Sequence, residues 1–309
     1  MSGSSKKPAA GGGGVNVAGT AATGGSVNVT GVAGAGTPGA AAASVTAATS
    51  TVPPRDRITA ALRAAAKQGQ PALVAYLTAG FPTREQFASR LAEVAAASDV
   101  IEIGVPFTDP MADGVTVQRS SEVALKQGVT LTWILQELAA SPAPAVPLLL
   151  MSYLNPLLAY GYEALADAAV HAGVCGFIVP DLPLDESGEL REVLDRRGLA
   201  LVQMVTPVTT PERLARLCAA SQGFIYAVTM TGTTGRSTAI QADVRSYLER
   251  VRAQATLPVC AGFGIRTREQ IEALRGHADG AIVGSALVEV IERGESAQQW
   301  LRALRPPRR

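Results

Sequence analysis

This chain has few of the residues most often recruited for covalent and metal chemistry. Histidine occurs only at His171 and His277. Past the first fifty residues the only lysines are Lys67 and Lys126. The three cysteines, Cys175, Cys218 and Cys260, lack metal-ligand spacing, and Cys175 and Cys260 sit in apolar strand-like runs. They read as reduced core thiols of a cytoplasmic protein. The net charge is only +1 and no Lys/Arg run is long enough to track phosphates, which argues against nucleic acid or an anionic membrane as partner. No apolar run reaches the ~18 residues of a membrane-spanning helix.

Residues 1–54 lack aromatic residues, Leu and Ile altogether, and their only charges are Lys6 and Lys7. Such a segment cannot bury enough apolar surface to offset the entropy of ordering it. Gly11 to Gly14 interrupt the place where the apolar stretch of a signal peptide would run. The expected organisation is a disordered Gly/Ala-rich extension over 1–54 and one catalytic domain over 55–309.

From Arg55 the chain becomes periodic. Ile58, Leu62 and Ala65 share one face of a short leading helix. Eight apolar runs follow, at 72–77, 100–105, 147–151, 176–180, 199–205, 223–228, 257–261 and 280–283. Helical patterns separate them. Continuous rather than alternating apolar strands indicate parallel strands covered on both faces. Eight such units in about 255 residues match the count and length of a (β/α)8 barrel with an extra N-terminal helix. An open doubly wound sheet is the competitor, but no Gly-x-Gly-x-x-Gly follows the first strand.

Chemistry in such a barrel sits where strands end. The run from Asp99 to Gly114 is the richest such place. Its β-branched strand carries Glu102 between Ile101 and Ile103, and the loop beyond brings Asp109 and Asp113 between Pro106, Pro110 and Gly114. A carboxylate inside an apolar strand is costly unless paired or given a task, and those surroundings raise its pKa. Asp113, in a polar loop, is expected to stay ionised, so two carboxylates in unlike settings divide acid from base. At the last strand ends Gly235, Gly262, Gly264 and Gly284 allow close backbone approach, and Ser285 opens a helix whose N–H groups favour an anion. These form a candidate phosphate cup. With no lysine on a strand, a Schiff-base aldolase is excluded. With both histidines at the far end, a histidine-ligated metal aldolase is disfavoured. The remaining equipment suits proton transfer on a phosphorylated substrate with no cofactor and no metal.

At this point the motifs coincide with a known family. Ile101-Glu-Ile-Gly-Val-Pro-Phe-Thr-Asp-Pro-Met-Ala-Asp-Gly114 resembles the signature segment of the α subunits of tryptophan synthase. Leu77-Thr-Ala-Gly-Phe-Pro82, Met151-Ser-Tyr-Leu-Asn-Pro156, Val179-Pro-Asp-Leu-Pro183, Gly262-Phe-Gly-Ile265 and Val283-Gly-Ser285 support it. The resemblance spans nearly the whole barrel and omits residues 1–54. It implies a lyase that cleaves indole-3-glycerol phosphate to indole and glyceraldehyde 3-phosphate. Glu102 would be the general acid–base and Asp113 the carboxylate on the indole N–H. Tyr226 would line the site, Thr234 would close towards Asp113, and Tyr76, Met151, Tyr153 and Phe263 would fall at or beside the ring pocket. The implied partner is a pyridoxal-phosphate β subunit in an α2β2 heterotetramer that receives the indole.

Where the family commonly has Gly-Val-Thr-Gly, this chain has Gly232-Thr-Thr-Gly235, which bears on loop closure and coupling to the partner. Three other readings remain open on the residues alone: a non-catalytic regulatory barrel, against which intact Glu102 and Asp113 argue; another phosphate-binding barrel of the same pathway, an isomerase or an indole-forming synthase, of which the latter needs strand lysines that this chain lacks; and a stand-alone lyase that releases indole freely.

Overall fold

Eight parallel strands close on themselves: β1 (Ala72–Thr78), β2 (Val100–Gly104), β3 (Leu148–Met151), β4 (Val174–Ile178), β5 (Ala200–Val205), β6 (Ile225–Val228), β7 (Val259–Gly262) and β8 (Gly280–Val283). Each pairs with its sequence neighbours, and β8 pairs with β1 to complete a barrel. The computed structural model describes residues 52–229, 242–262 and 264–307. The expectations for residues 1–51, for Thr234 and Gly235, and for Phe263 lie outside the described residues.

The strands form because both their faces are buried. Every residue of β1, β2 and β4 is buried, as parallel strands between a filled interior and a helical coat require. Outside lie α2 (Phe87–Ala95), α3 (Val115–Lys126), α4 (Leu131–Ala140), α5 (Leu154–Tyr160), α6 (Tyr162–His171), α7 (Gly188–Arg196), α8 (Pro211–Ala220), α9 (Ala242–Gln254), α10 (Arg268–Ala273), α11 (Ser285–Glu292) and α12 (Ala297–Leu304). The segment between β1 and β2 forms a 3-10 turn, Arg84–Gln86, followed by α2. Pro54, assigned to the extension by composition, is instead the first residue of the leading helix α1 (Pro54–Lys67). A proline fits there because the first-turn N–H has no partner inside a helix.

Helix α1 stops the lower end of the barrel. Ile58, Leu62 and Ala65 join Val74, Val100, Cys175, Ala200, Val202, Phe224 and Cys260 in one buried cluster. Ile58 and Leu62 are wholly inaccessible, and Thr59 Oγ1 donates to the Gly223 carbonyl at 2.7 Å. The interior is thus solid below and opens only where the strands end.

Candidate active site

A cavity of about 360 Å³ opens at that upper end, a size suited to one small ligand. Glu102 lies on its floor. The inward parity of β2 aims the side chain into the barrel, in register with Tyr76 on β1 and Leu149 on β3. It has no accessible surface, and neither carboxylate oxygen has a hydrogen-bond partner among the described residues. Burial pushes its carboxyl up to about 8, so it is protonated at neutral pH. Leaving a buried polar group unpaired costs roughly 1–3 kcal/mol. The site therefore holds in reserve a proton donor that no described residue satisfies.

Asp113 stands on the rim. It could have capped the helix that follows, but α3 is capped by Gly114 and no side chain serves there. Its carboxyl is raised to about 6 by burial, opposed by a hydrogen bond from Tyr153. The expected order of the two carboxyls holds, but the support differs. Asp113 is kept below Glu102 by its lesser burial and by the hydrogen bond from Tyr153. Asp109 is exposed, accepts from Thr108 Oγ1 at 2.5 Å and shapes a turn.

Tyr153 therefore holds Asp113 in place. Its hydroxyl accepts the Ala112 N–H at 2.8 Å and donates to Asp113, and its ring stacks on Phe107 with centroids 5.0 Å apart. It borders a small recess beside the main cavity rather than the cavity itself. Tyr76 and Tyr226 do line the cavity with Glu102. Burial raises both phenols well above their usual range, so both are neutral donors.

Gly264, Gly284 and Ser285, from the ends of β7 and β8, line another part of the cavity wall. Gly264 has φ of +70°, a conformation that favours glycine. Ser285 is the first residue of α11, as the sequence indicates, and Gly284 precedes it as N-cap. Gly262 is different. It ends β7, its carbonyl accepts from the Thr229 N–H and hydroxyl, and a Cβ there would come within 2.9 Å of Tyr226 Oη. Its lack of a side chain is explained by the tyrosine, and it is not on the cavity wall.

Met151, Met204 and Thr206 also face the cavity. Met204 escaped the sequence reading, although alternation along β5 from Ala200 and Val202 puts it on the inward face. Asn155 and Pro156 lie in the first turn of α5. Asp181 caps that helix from a distance, its Oδ1 accepting the Leu154 N–H at 2.9 Å. His171 and His277 precede β4 and β8, at the end away from the cavity.

The fold and cavity define a class: a (β/α)8-barrel enzyme with a buried acid and a second, more ionised carboxyl across an apolar pocket. Comparison with known proteins narrows it. Residues 62–305 match the family model described as tryptophan synthase alpha chain. The tryptophan synthase alpha chain of Nitratidesulfovibrio vulgaris strain DP4 is 43% identical over 249 residues, which cover 80% of this chain and 97% of that one. The alpha chain of Desulfovibrio desulfuricans is 45% identical over 244 residues, covering 78% and 96%. Among solved structures, tryptophan synthase of Mycobacterium tuberculosis superposes with a TM-score of 0.73 at 35% identity, covering 80% of this chain and 96% of that one. The chain belongs to the tryptophan synthase alpha-chain family.

Proposed function

We infer that this protein is the lyase component of tryptophan synthase. It cleaves indole-3-glycerol phosphate to indole and glyceraldehyde 3-phosphate in tryptophan biosynthesis, and it works with a β subunit in an α–β assembly. The observation that carries the mechanism is the protonated Glu102 on the cavity floor, without a hydrogen bond among the described residues.

Cleavage needs a proton on indole C3, a sink for positive charge on the ring nitrogen, and removal of the hydroxyl proton next to the breaking bond. Glu102 supplies the first. An unpaired acid with its pKa near 8 delivers a proton more readily than a carboxylate fixed in a salt bridge. As C3 becomes tetrahedral, the ring N–H gains charge and Asp113, ionised above about 6, stabilises it. Glu102, now a carboxylate in a desolvated pocket, takes the glycerol hydroxyl proton as the C–C bond breaks, and the acid is regenerated. Tyr76, Tyr226, Met151 and Met204 supply the apolar surface for the ring. The wall at Gly264, Gly284 and Ser285, at the start of α11, suits the phosphate. Thr234, Gly235 and Phe263 are assigned to the same site by family resemblance.

The proposed surroundings are cytoplasmic, with a catalytic domain that opens at Pro54 of α1. Among the described residues no helix is long and apolar enough to cross a membrane. The loop after β2 and the start of α3, near the cavity, expose Met111 and Val115, which are 87% and 77% accessible. Apolar groups this exposed suit a docking face, and the α2β2 assembly places the pyridoxal-phosphate β subunit there. The test is indole release from indole-3-glycerol phosphate, with and without that subunit, for the wild type and for Asp113→Asn. Loss of roughly 10²–10⁴-fold in Asp113→Asn, with the β subunit raising the wild-type rate by about tenfold, is the expected result. An unchanged Asp113→Asn rate overturns the role given to Asp113.

A further inference from the structure

Helix α11 does more than begin at the cavity. One turn after Ser285 it carries Glu289, whose side chain is 26% exposed. Its Oε2 accepts from Arg266 Nη1 at 2.6 Å and its Oε1 from Arg266 Nη2 at 2.9 Å. Oε1 also accepts from Thr116 Oγ1 at 3.3 Å. The three residues come from three segments, and each segment supplies part of the cavity wall. Arg266 follows Gly264 by two positions, Thr116 follows Asp113 by three, and Glu289 follows Ser285 by four. None of the three touches the cavity.

A two-pronged carboxylate–guanidinium contact fixes orientation as well as distance. The Arg266 N–H is also held, by Gln270 Oε1 at 2.7 Å, so the β7–α10 loop is fixed at both main chain and side chain. Attaching α3 to α11 does not itself require Glu289. One turn further along, Arg119 makes its own two-pronged contact with Glu292, at 2.9 and 2.6 Å, and does not reach that loop. What Glu289 adds is the third segment.

We propose that Glu289 is a positioning residue that sets the distance between the wall at Gly264 and Ser285 and the carboxylate of Asp113, so that one substrate can engage both. This rests on the assignment of the cavity to indole-3-glycerol phosphate. A half-exposed ion pair adds little to folding stability. Displacing one end of a two-ended site is another matter, because a misplacement of ~1 Å can cost ~10²-fold in rate.

The distinguishing property of a spacer is that it matters only to a ligand that spans both ends. Glycerol 3-phosphate and indole, bound separately, each find their own end; the joined substrate cannot. The experiment compares Glu289→Gln, Arg266→Gln and Arg119→Gln with the wild type. It measures kcat/KM for indole-3-glycerol phosphate, calorimetric affinities for glycerol 3-phosphate and for indole, and Tm. In Glu289→Gln and Arg266→Gln, kcat/KM should fall at least about fivefold while both fragment affinities stay within about twofold. Arg119→Gln should leave all of them in place. Fragment affinities that fall as far as kcat/KM would mean local distortion and overturn the proposal. So would an equal loss in Arg119→Gln, which would reduce Glu289 to helix docking, or an unchanged kcat/KM. If Glu289→Gln fails to fold, Arg266→Gln breaks the same contact from the other side. A wild-type protein that does not turn over the substrate would instead refute the functional assignment and the proposal with it.

Discussion

Replacing Glu102 with glutamine should make the protein inactive and, above neutral pH, more stable. In the folded protein the Glu102 carboxyl titrates near 8, and in the unfolded chain near 4.5. Between those values folding must take up a proton. The contribution of the neutral carboxyl is fully present below pH 4.5 and is lost as pH rises towards 8. The loss is about 1.4 kcal/mol per pH unit, or about 3 kcal/mol at pH 7 and about 5 kcal/mol at pH 8, where it levels off. Glutamine is close in shape and neutral in both states, so it escapes this cost. Its amide adds an unpaired donor on the cavity floor, but that penalty does not change with pH. The informative quantity is therefore the slope of the stability difference. Thermal melts at pH 5, 6, 7 and 8 should show Glu102→Gln gaining on the wild type at each step, by about 5 °C or more in total for a barrel of this size. In parallel, indole release should fall by roughly 10²–10⁴-fold or more. A Tm difference that stays flat from pH 5 to 8 would show that Glu102 is not held neutral by burial. A rate within tenfold of wild type would show that it is not the acid.

Three further outcomes follow from the same geometry. For the wild type, kcat/KM should fall above about pH 8 as Glu102 loses its proton and below about pH 6 as Asp113 gains one; a profile flat from 5 to 9 would contradict the assignment. Tyr153→Phe removes the hydroxyl that lowers the Asp113 pKa, so the acidic limb should move to higher pH and kcat/KM should drop about tenfold or more. Gly284→Val points new carbons towards Tyr76, whose Cβ would lie 3.6 Å from the added Cβ, and into the cavity. KM and the calorimetric Kd for glycerol 3-phosphate should rise by about tenfold with kcat less affected, and unchanged affinity would remove Gly284 from the phosphate wall.

Much of the barrel was legible because its signals are local. Each strand appears as an apolar run at the right place, and α8 spans the same Pro211–Ala220 that its pattern marks. Glu102 was legible for the opposite reason: a carboxylate between two isoleucines of a buried strand is out of place unless it works. What escaped depends on contacts distant in sequence. The support of Asp113 by Tyr153 crosses from the loop after β2 to the end of β3. The reason for Gly262 is a tyrosine on the neighbouring strand. Helix α5 was hidden by Asn155-Pro156, which reads as a turn until Asp181, far along the chain, satisfies the first N–H of the helix. No window of sequence contains these pairs.

Helix α1 has a consequence for the chemistry above it. Because Ile58, Leu62 and Ala65 stopper the lower end and the barrel interior is packed up to Tyr226, Glu102 communicates with water only through the mouth. Once a ligand fills that mouth, the hydrogen on Glu102 is trapped with it. The atom delivered to the indole ring is the one loaded before binding, and the one recovered from the glycerol chain stays behind for the next substrate. Each turnover then begins with hydrogen inherited from the previous molecule unless the empty enzyme lingers long enough to exchange with solvent. Because the glycerol hydroxyl of the free substrate exchanges with water before binding, deuterium supplied as water would enter the product at every turnover, and the blocked floor of the barrel fixes only when that label is loaded: before the ligand closes the mouth.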